Sequence, residues 1–324
     1  MRKTIVLLVI AMTCCIALSG CRRDAAPGVV RFVLDWTPNT NHTGLYVARE
    51  KGWFDEENLT VEILQPPEDG AVMLLASGSA EFAVDFQESL GPAIAGSDPL
   101  PVVAVAAVIN HNTSGILSLK QTGITSPSDL TGKRFATWGT EVADAIIRQV
   151  VEADGGNFEE VSIIPNLATD AISALQTDID AIWVYYAWDG IAAEVFGLET
   201  NYQDFGRLDP ALDFYTPVIL ANTDYTANKP DEVKAFLRAL SRGYAFAAEN
   251  PGEAADILLA CAPELDANLV RRSQSYLAPR YQDDAPRWGE IDPVRWDAFY
   301  GWMFEKGLLE TDIRGQGFTN DYLP

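Results

Sequence analysis

The sequence predicts an α/β protein built from two lobes. The chain has 324 residues, enough for two domains at about 100–200 residues each. Apolar strand-like runs alternate with helix-like stretches, and this alternation restarts near Ser114. Strands that alternate with helices form largely parallel sheets, so we expect one such sheet in each lobe. Ligand loops are then expected at the carboxyl ends of the strands.

The elements before Ser114 follow a βαβαβ order. Leu59, Val61 and Ile63 alternate with polar residues, as in a strand with one buried face, and Gly52 ends the first helix. The predicted elements are strands over Val29–Leu34, Leu59–Leu64, Phe82–Phe86 and Pro101–Val108, and helices over Thr43–Lys51 and Gly70–Ser77.

The second series begins with the strand SGILSL. A turn and a strand follow in DLTGKRFATW, and EVADAIIRQVVEADGG is predicted as an amphipathic helix with a Gly stop. Further elements are strands near Val161–Ile164 and Asp180–Val184, with a helix over Ala168–Gln176 between them. From Asn228 onward the sequence is almost wholly helical, and Pro230 suits a first helical turn.

The amino terminus reads as an export signal. MRKTIVLLVIAMTCCIALSGC has two basic residues, an apolar run too short for a transmembrane anchor and then small residues. Its last four residues resemble a bacterial lipobox, which implies a signal peptide over 1–20, lipidation of Cys21 and a tether over 21–28. Cys261 is then the one other cysteine of the mature chain, so we expect neither a disulfide nor a cysteine metal site.

Composition argues against several functions. The 46 acidic residues outnumber the 23 basic ones, and nucleic-acid binding relies on clustered Lys and Arg, so no nucleic-acid partner is expected. The only histidines are His42 and His111, and no G-x-S-x-G motif occurs. We therefore expect a protein that is not an enzyme, with no catalytic residues, no cofactor and no metal.

Five stretches carry a family resemblance: LDWTPNTNHTGLYVAREKGWF, PPEDGAVMLLASGSAEFAVDFQE, TGKRFATWGTEVADAIIRQVVEADGG, AIWVYYAWDGIAAE and YTPVILANTDY. They resemble the NMT1/THI5-like substrate-binding proteins of bacterial ABC importers. The resemblance implies a two-lobed type II periplasmic-binding-protein fold, with lobe 1 over 29–112 and 218–324 and lobe 2 over 113–217. It places hinge segments near His111–Ser114 and Phe214–Val218.

The same resemblance implies a transport role. The protein would be a monomer held by a lipid anchor on the outer face of the cytoplasmic membrane, whether periplasmic or extracellular. Its partners would be a small-molecule ligand and the permease and ATPase subunits of the importer. Members of the family are associated with pyrimidine precursors of thiamine, with riboflavin and, more distantly, with alkanesulfonates and taurine.

Polar and aromatic residues cluster in loops that follow predicted strands, where they would face the cleft between the lobes. The residues proposed to bind ligand are Trp36, Asn39, Asn41, His42, Glu88, Trp138, Gly139, Glu141, Tyr185, Tyr186 and Trp188. Glu68, Asp69 and Asp189 add carboxylates to the same loops. The alternative is local: Asn39 and Thr40 can form a turn, and Asn41, Thr43 or Thr140 can cap helices.

The position of each aromatic residue in the sequence indicates whether it contacts ligand or packs in the core. Loop positions at strand ends favour ligand contact for Trp36, Trp138, Tyr185 and Trp188. Positions within apolar or helical stretches favour packing for Trp53, Trp183, Trp288, Trp296 and Trp302.

Charge separates the candidate ligands. The loops carry no Lys or Arg, whereas sulfonate and phosphate sites ordinarily use Arg. This favours a neutral or weakly cationic flat ring with N–H donors. An aminopyrimidine comes first, riboflavin next and a sulfonate third.

Two other classes of function remain open. Fungal relatives in the resemblance synthesise the thiamine pyrimidine, but that chemistry needs a cysteine-rich iron site and pyridoxal phosphate. A structural or adhesion protein would explain export but not the clustered aromatic and amide groups.

Overall fold

A computed structural model describes residues 28–67, 70–165 and 171–324. The predicted signal peptide, the lipidation site Cys21 and the tether up to residue 27 lie outside the described residues, as do Glu68, Asp69 and part of the predicted helix over Ala168–Gln176. Within those ranges, no helix is both long and apolar enough to cross a membrane.

Ten strands are described, in two sheets of five. They are β1 Gly28–Val33, β2 Leu59–Leu64, β3 Phe82–Asp85, β4 Val102–Ala107, β5 Ser114–Leu119, β6 Arg134–Thr137, β7 Ser162–Pro165, β8 Ala181–Tyr185, β9 Thr200–Asp204 and β10 Val218–Asn222.

Thirteen α-helices are described around these sheets. They are α1 Thr43–Glu50, α2 Trp53–Glu56, α3 Ala71–Ala76, α4 Gln87–Ala95, α5 Glu141–Ala153, α6 Ala171–Leu175, α7 Ile191–Val195, α8 Phe205–Leu208, α9 Thr223–Asn228, α10 Pro230–Glu249, α11 Pro251–Cys261, α12 Ala267–Leu277 and α13 Pro293–Glu305. A 3₁₀ turn over Thr40–His42 precedes α1, and a π-turn over Tyr186–Gly190 follows β8.

Each sheet is mainly parallel with one strand reversed. The first has the order β2-β1-β3-β10-β4, and β10 runs antiparallel to both of its neighbours. The second has the order β7-β6-β8-β5-β9, and β5 runs antiparallel to β8 and β9. Four strands of each sheet therefore point the same way, so their carboxyl ends meet at one edge.

The inner strands are continuous apolar runs because helices cover both faces of each sheet. Val218, Ile219, Leu220 and Ala221 of β10 are all fully buried. Helix α5 buries Val142, Ala143, Ile146, Ile147, Val150 and Val151 along one face, as its 3.6-residue apolar period predicts.

The chain passes between the sheets twice, after β4 and before β10. The two connections touch each other. The backbone N–H of Asn112 donates to Oδ1 of Asp213 at 2.9 Å, and its side-chain amide donates to the Leu212 carbonyl at 2.8 Å. His111 Nδ1 lies 2.7 Å from Oδ2 of Asp213. Side chains therefore tie the outgoing segment to the returning one.

Candidate functional site

A cavity of about 260 Å³ lies between the two sheets. Its walls follow the carboxyl ends of β1 and β3 in the first sheet and of β6 and β8 in the second. Ligand sites of α/β proteins concentrate at this edge. Seven predicted ligand residues line the cavity together: Trp36, Asn39, Asn41, Glu88, Trp138, Tyr185 and Trp188.

Four other predicted residues are not on the cavity wall. His42 is fully buried behind the first loop. Gly139 has a positive φ of 75° and donates its N–H to Oγ1 of Thr137. Glu141 is exposed in the first turn of α5. The Tyr186 hydroxyl donates to Glu194, which directs its ring away from the cavity.

The loop after β1 combines capping with cavity lining. The Asn39 side chain accepts the N–H of Asn41 at 2.8 Å and caps the 3₁₀ turn, while the same residue lines the cavity. Nδ1 of His42 accepts the N–H of Asn39 at 3.2 Å, so the ring donates from Nε2 to Asp35 at 2.6 Å. His42 therefore fixes both the loop and the carboxylate of Asp35, which reaches the cavity.

Helix α5 begins with a side-chain cap, as predicted for Thr140. Its Oγ1 accepts the N–H of Ala143 at 3.1 Å. Thr140 also lines the cavity beside Trp138.

Aromatic rings form much of the cavity wall. Phe86 and Tyr185 stack with centroids 5.5 Å apart and planes 11° apart, and Trp138 lies 6.1 Å from Tyr185. Trp183 also lines the cavity although it is only 1% exposed. Offset aromatic contacts each contribute about 0.5–1.5 kcal/mol beyond area burial, so this wall suits a flat ring.

Glu88 brings a carboxyl group into this apolar setting. Tyr185 donates to its Oε1 at 3.5 Å, whereas its buried Oε2 has no hydrogen-bond partner among the described residues. Burial is the largest cause that raises the pKa of Glu88 to about 8, and the neighbouring Asp85 contributes to the same shift. Burial also raises the pKa of Asp85 to about 6. Glu88 is therefore mostly protonated at neutral pH and has a proton to donate.

Two indole N–H groups on the same wall are also buried without a described partner, Nε1 of Trp138 and Nε1 of Trp183. A buried polar group without a hydrogen bond costs about 1–3 kcal/mol. A guest with hydrogen-bond acceptors on its ring edge would remove that cost.

The acidic and basic side chains on the described wall are all carboxylic acids. Asp35, Glu88 and Asp189 line the cavity, and none of the described lining residues is Lys or Arg. Asp189 also accepts the N–H of Tyr185 through Oδ2 at 3.2 Å, which holds the π-turn to the end of β8.

An outer cavity of about 470 Å³ adjoins the first. The two share Asp35, Trp36, Phe86 and Ser89. Pro66 and Pro67 also line the outer cavity, so a substituent on a ring in the inner cavity has adjoining space to enter.

Sequence reasoning missed six lining residues: Asp35, Phe86, Ser89, Val142, Ala143 and Trp183. Strand periodicity could have found Trp183, because it lies two residues before Tyr185 and so on the same face of β8. Asp35 directly follows the first strand and was overlooked among its polar neighbours. In the part of the chain that the structure describes, no three His, Cys, Asp or Glu residues are placed to hold one metal ion.

Two relatives are similar in sequence to this chain over most of its length. The chain is 30% identical over 300 residues to the formylaminopyrimidine-binding protein of Halalkalibacterium halodurans, covering 90% of this chain and 89% of that protein. It is 27% identical to the 4-amino-5-hydroxymethyl-2-methylpyrimidine phosphate synthase of Legionella pneumophila, covering 75% of this chain and 77% of the relative.

Solved structures show the same fold. The alkanesulfonate-binding protein SsuA from Xanthomonas axonopodis pv. citri superposes with a TM-score of 0.70 at 15% identity, covering 91% of this chain and 99% of that one. The fold is therefore the two-lobed type II periplasmic-binding-protein fold predicted from the sequence. The NMT1/THI5 like family model matches residues 39–254, and the chain belongs to that family.

Proposed function

We propose that this protein is the extracytoplasmic substrate-binding component of an ABC importer, anchored by a lipid on Cys21, and that it captures a pyrimidine precursor of thiamine. One observation carries the choice of ligand. The inner cavity is walled by aromatic rings and acidic groups, and none of its described lining residues is a cation.

The hydrogen-bonding groups suit an aminopyrimidine. Its ring nitrogens can accept from the protonated carboxyl of Glu88 and from indole N–H groups, while its amino group can donate to Asp35 or Asp189. The ring itself would lie against the flat faces of the wall. The relative named as a formylaminopyrimidine-binding protein supports the same class of ligand.

Size favours one ring over a flavin. At about 260 Å³, the inner cavity lies below the ~300–1,000 Å³ of pockets for drug-sized ligands. A single six-membered ring suits it, whereas the three fused rings of riboflavin would have to extend into the outer cavity. A sulfonate would meet Asp35 and Asp189 without a cation to offset the repulsion.

Capture would proceed by closure of the lobes. Each lobe supplies part of the wall, so a ligand makes its full set of contacts only when the lobes meet. Ligand binding then shifts the population towards the closed form, which the permease would recognise through surfaces on both lobes.

Calorimetry with the purified protein tests the proposal. We expect 4-amino-5-hydroxymethyl-2-methylpyrimidine or its formylaminomethyl analogue to bind, riboflavin to bind more weakly and taurine to give no heat. Tight taurine binding would contradict the charge argument.

The synthase-like alternative is tested separately, because a relative carries that name. Cys261 is the one cysteine after Cys21, so a cysteine-rich iron site has no residues to form it. Mass spectrometry of the protein incubated with iron and pyridoxal phosphate should detect no new pyrimidine, and its appearance would favour the enzyme.

A further inference from the structure

We propose that Ser273 is a positioning residue that joins the two ligand loops of opposite lobes and so favours the closed cleft. Ser273 lies on α12, outside the cavity wall, and is fully buried. Its hydroxyl contacts Oγ1 of Thr40 at 2.6 Å and donates to the carbonyl of Ala187. Thr40 belongs to the loop after β1 and Ala187 to the π-turn after β8.

The direction of these hydrogen bonds is fixed by chemistry. A hydroxyl has one proton, and a carbonyl can only accept. Since the Ser273 proton goes to Ala187, the Thr40 hydroxyl must donate to Ser273. The result is a single chain that runs from Thr40 through Ser273 to Ala187, with each buried hydroxyl donating once. The carbonyl of Thr40 in turn accepts from the Tyr281 hydroxyl at 2.7 Å.

Both ends of this chain are next to cavity residues. Thr40 lies between Asn39 and Asn41, which line the cavity, and Ala187 directly precedes Trp188 and Asp189, which line it from the other side. Opening the cleft would separate these loops and leave buried hydroxyls without partners. The link therefore exists only when the two halves of the site face each other.

Other residues of α12 also contact the second lobe, but these contacts are weaker. Arg272 pairs with Glu194 of α7, and the Tyr276 ring lies 5.4 Å from that of Tyr186. The ion pair is solvent-exposed, with Arg272 43% accessible, and such pairs contribute little. The chain of buried hydroxyl groups is therefore the contact that the test variants should remove.

Hydrogen–deuterium exchange of the ligand-free protein tests the link. Thr40→Val keeps the side-chain shape and removes the hydroxyl, and Ser273→Ala removes the central group. In both variants we expect exchange to rise roughly 3- to 10-fold, the range for one neutral hydrogen bond, in the segment 186–190 as well as 39–42. Thr40→Ser should restore the wild-type pattern.

Ser275→Ala is the matched control. Ser275 lies on the same helix, and its hydroxyl donates to the Arg271 carbonyl one turn earlier. It should leave both segments unchanged. If Thr40→Val alters exchange in its own loop but leaves 186–190 at the wild-type level, the loops are not coupled and the inference is wrong.

A second measurement uses the pyrimidine ligand and rests on the proposed function. Ser273→Ala should raise the dissociation rate of 4-amino-5-hydroxymethyl-2-methylpyrimidine roughly 3- to 10-fold with little change in association rate. The double variant Thr40→Val/Ser273→Ala should be no worse than either single change, because both break one chain. An unchanged dissociation rate would overturn the inference. If the wild-type protein binds no pyrimidine, the proposed function fails, and exchange alone decides on Ser273.

Discussion

Phe86 and Tyr185 form an offset stack across the two lobes, with ring centroids 5.5 Å apart and planes 11° apart. Phe86 directly precedes α4 in the first lobe, and Tyr185 ends β8 in the second. This pair adds apolar surface to the cavity wall, so the polar groups of the wall act in a partly dehydrated setting, where hydrogen bonds are stronger than in water.

Trp36 tests the aromatic wall. It lines both cavities and is 44% exposed, so Trp36→Ala should weaken pyrimidine binding by about 1–2 kcal/mol, or roughly 5- to 30-fold. The melting temperature should change little, because exposed side chains contribute little to stability. Phe196, 67% exposed in the second lobe, gives the control Phe196→Ala. Equal affinities for both variants would show that Trp36 does not touch the ligand.

Glu88 predicts a pH dependence of stability. Burial raises its pKa from 4.5 to about 8, so the folded protein binds this proton more tightly than the unfolded chain does. The free energy of unfolding should therefore fall as pH rises from about 5 to 8. The glutamine side chain of Glu88→Gln cannot ionise, so the variant should show a flatter slope. Between pH 5 and pH 8, the free energy of unfolding should fall by about 2–4 kcal/mol less in the variant than in wild type.

Denaturant unfolding at several pH values measures the Glu88 effect. Glu310→Gln, at an exposed position, should keep the wild-type slope. Parallel slopes for wild type and Glu88→Gln would mean that Glu88 stays hydrated in the folded protein.

We expect a smaller pH dependence of stability from His111, which lies where the chain crosses between the lobes. Hydrogen bonding to Asp213 raises the pKa of His111, with Asp284 adding to the shift and burial and Arg295 opposing it. The folded state favours the protonated ring, so its stabilisation is full below pH ~6.5 and is lost as pH rises through the raised pKa. His111→Gln should remove this loss, which is under about 1 kcal/mol for a partly exposed pair. Thermal melts at pH 6 and pH 9 measure it, and an unchanged difference between these melts would contradict the assignment.

Gly243 tests how closely α10 packs against α1, the helix that follows the first ligand loop. A Cβ on Gly243 of α10 would lie 1.9 Å from the carbonyl oxygen of Gly44 in α1. Gly243→Ala should therefore destabilise the protein by more than about 2 kcal/mol. Gly252→Ala, in α11 with no atom within 4 Å of the added Cβ, should be neutral or slightly stabilising. Denaturant midpoints distinguish the two, and similar midpoints would mean that α1 and α10 move apart at little cost.

The periodicity of apolar residues predicted several strands and helices well. The strand over Leu59–Leu64 and the strand over Ser114–Leu119 have the predicted bounds, and the helix predicted from Thr43 to Lys51 ends one residue earlier. These segments bury one or both faces, so the spacing of their apolar residues indicates which positions are buried. The strand β9 was not predicted, because Thr200–Asp204 is a half-buried polar segment at the sheet edge.

Site residues could be predicted only where their position in the local sequence, such as the end of a strand, determines where the side chain lies. Trp138 directly follows β6 and Tyr185 ends β8, and both reach the cavity. Tyr186 also follows a strand, but a π-turn begins at this residue and turns its ring towards Glu194. Ser273 contacts Thr40 across 233 positions of sequence, and no local pattern encodes such a meeting.

The acidic wall also has a metabolic consequence under the proposed function. A phosphate ester of the same pyrimidine carries roughly −1.5 to −2 charges at neutral pH, and burying them beside Asp35 and Asp189 without a cation would be strongly unfavourable. A cell that relies on this cleft would recover only dephosphorylated fragments of the vitamin. Salvage through it would then depend on phosphatases that act before uptake, and on a kinase that traps the ring afterwards.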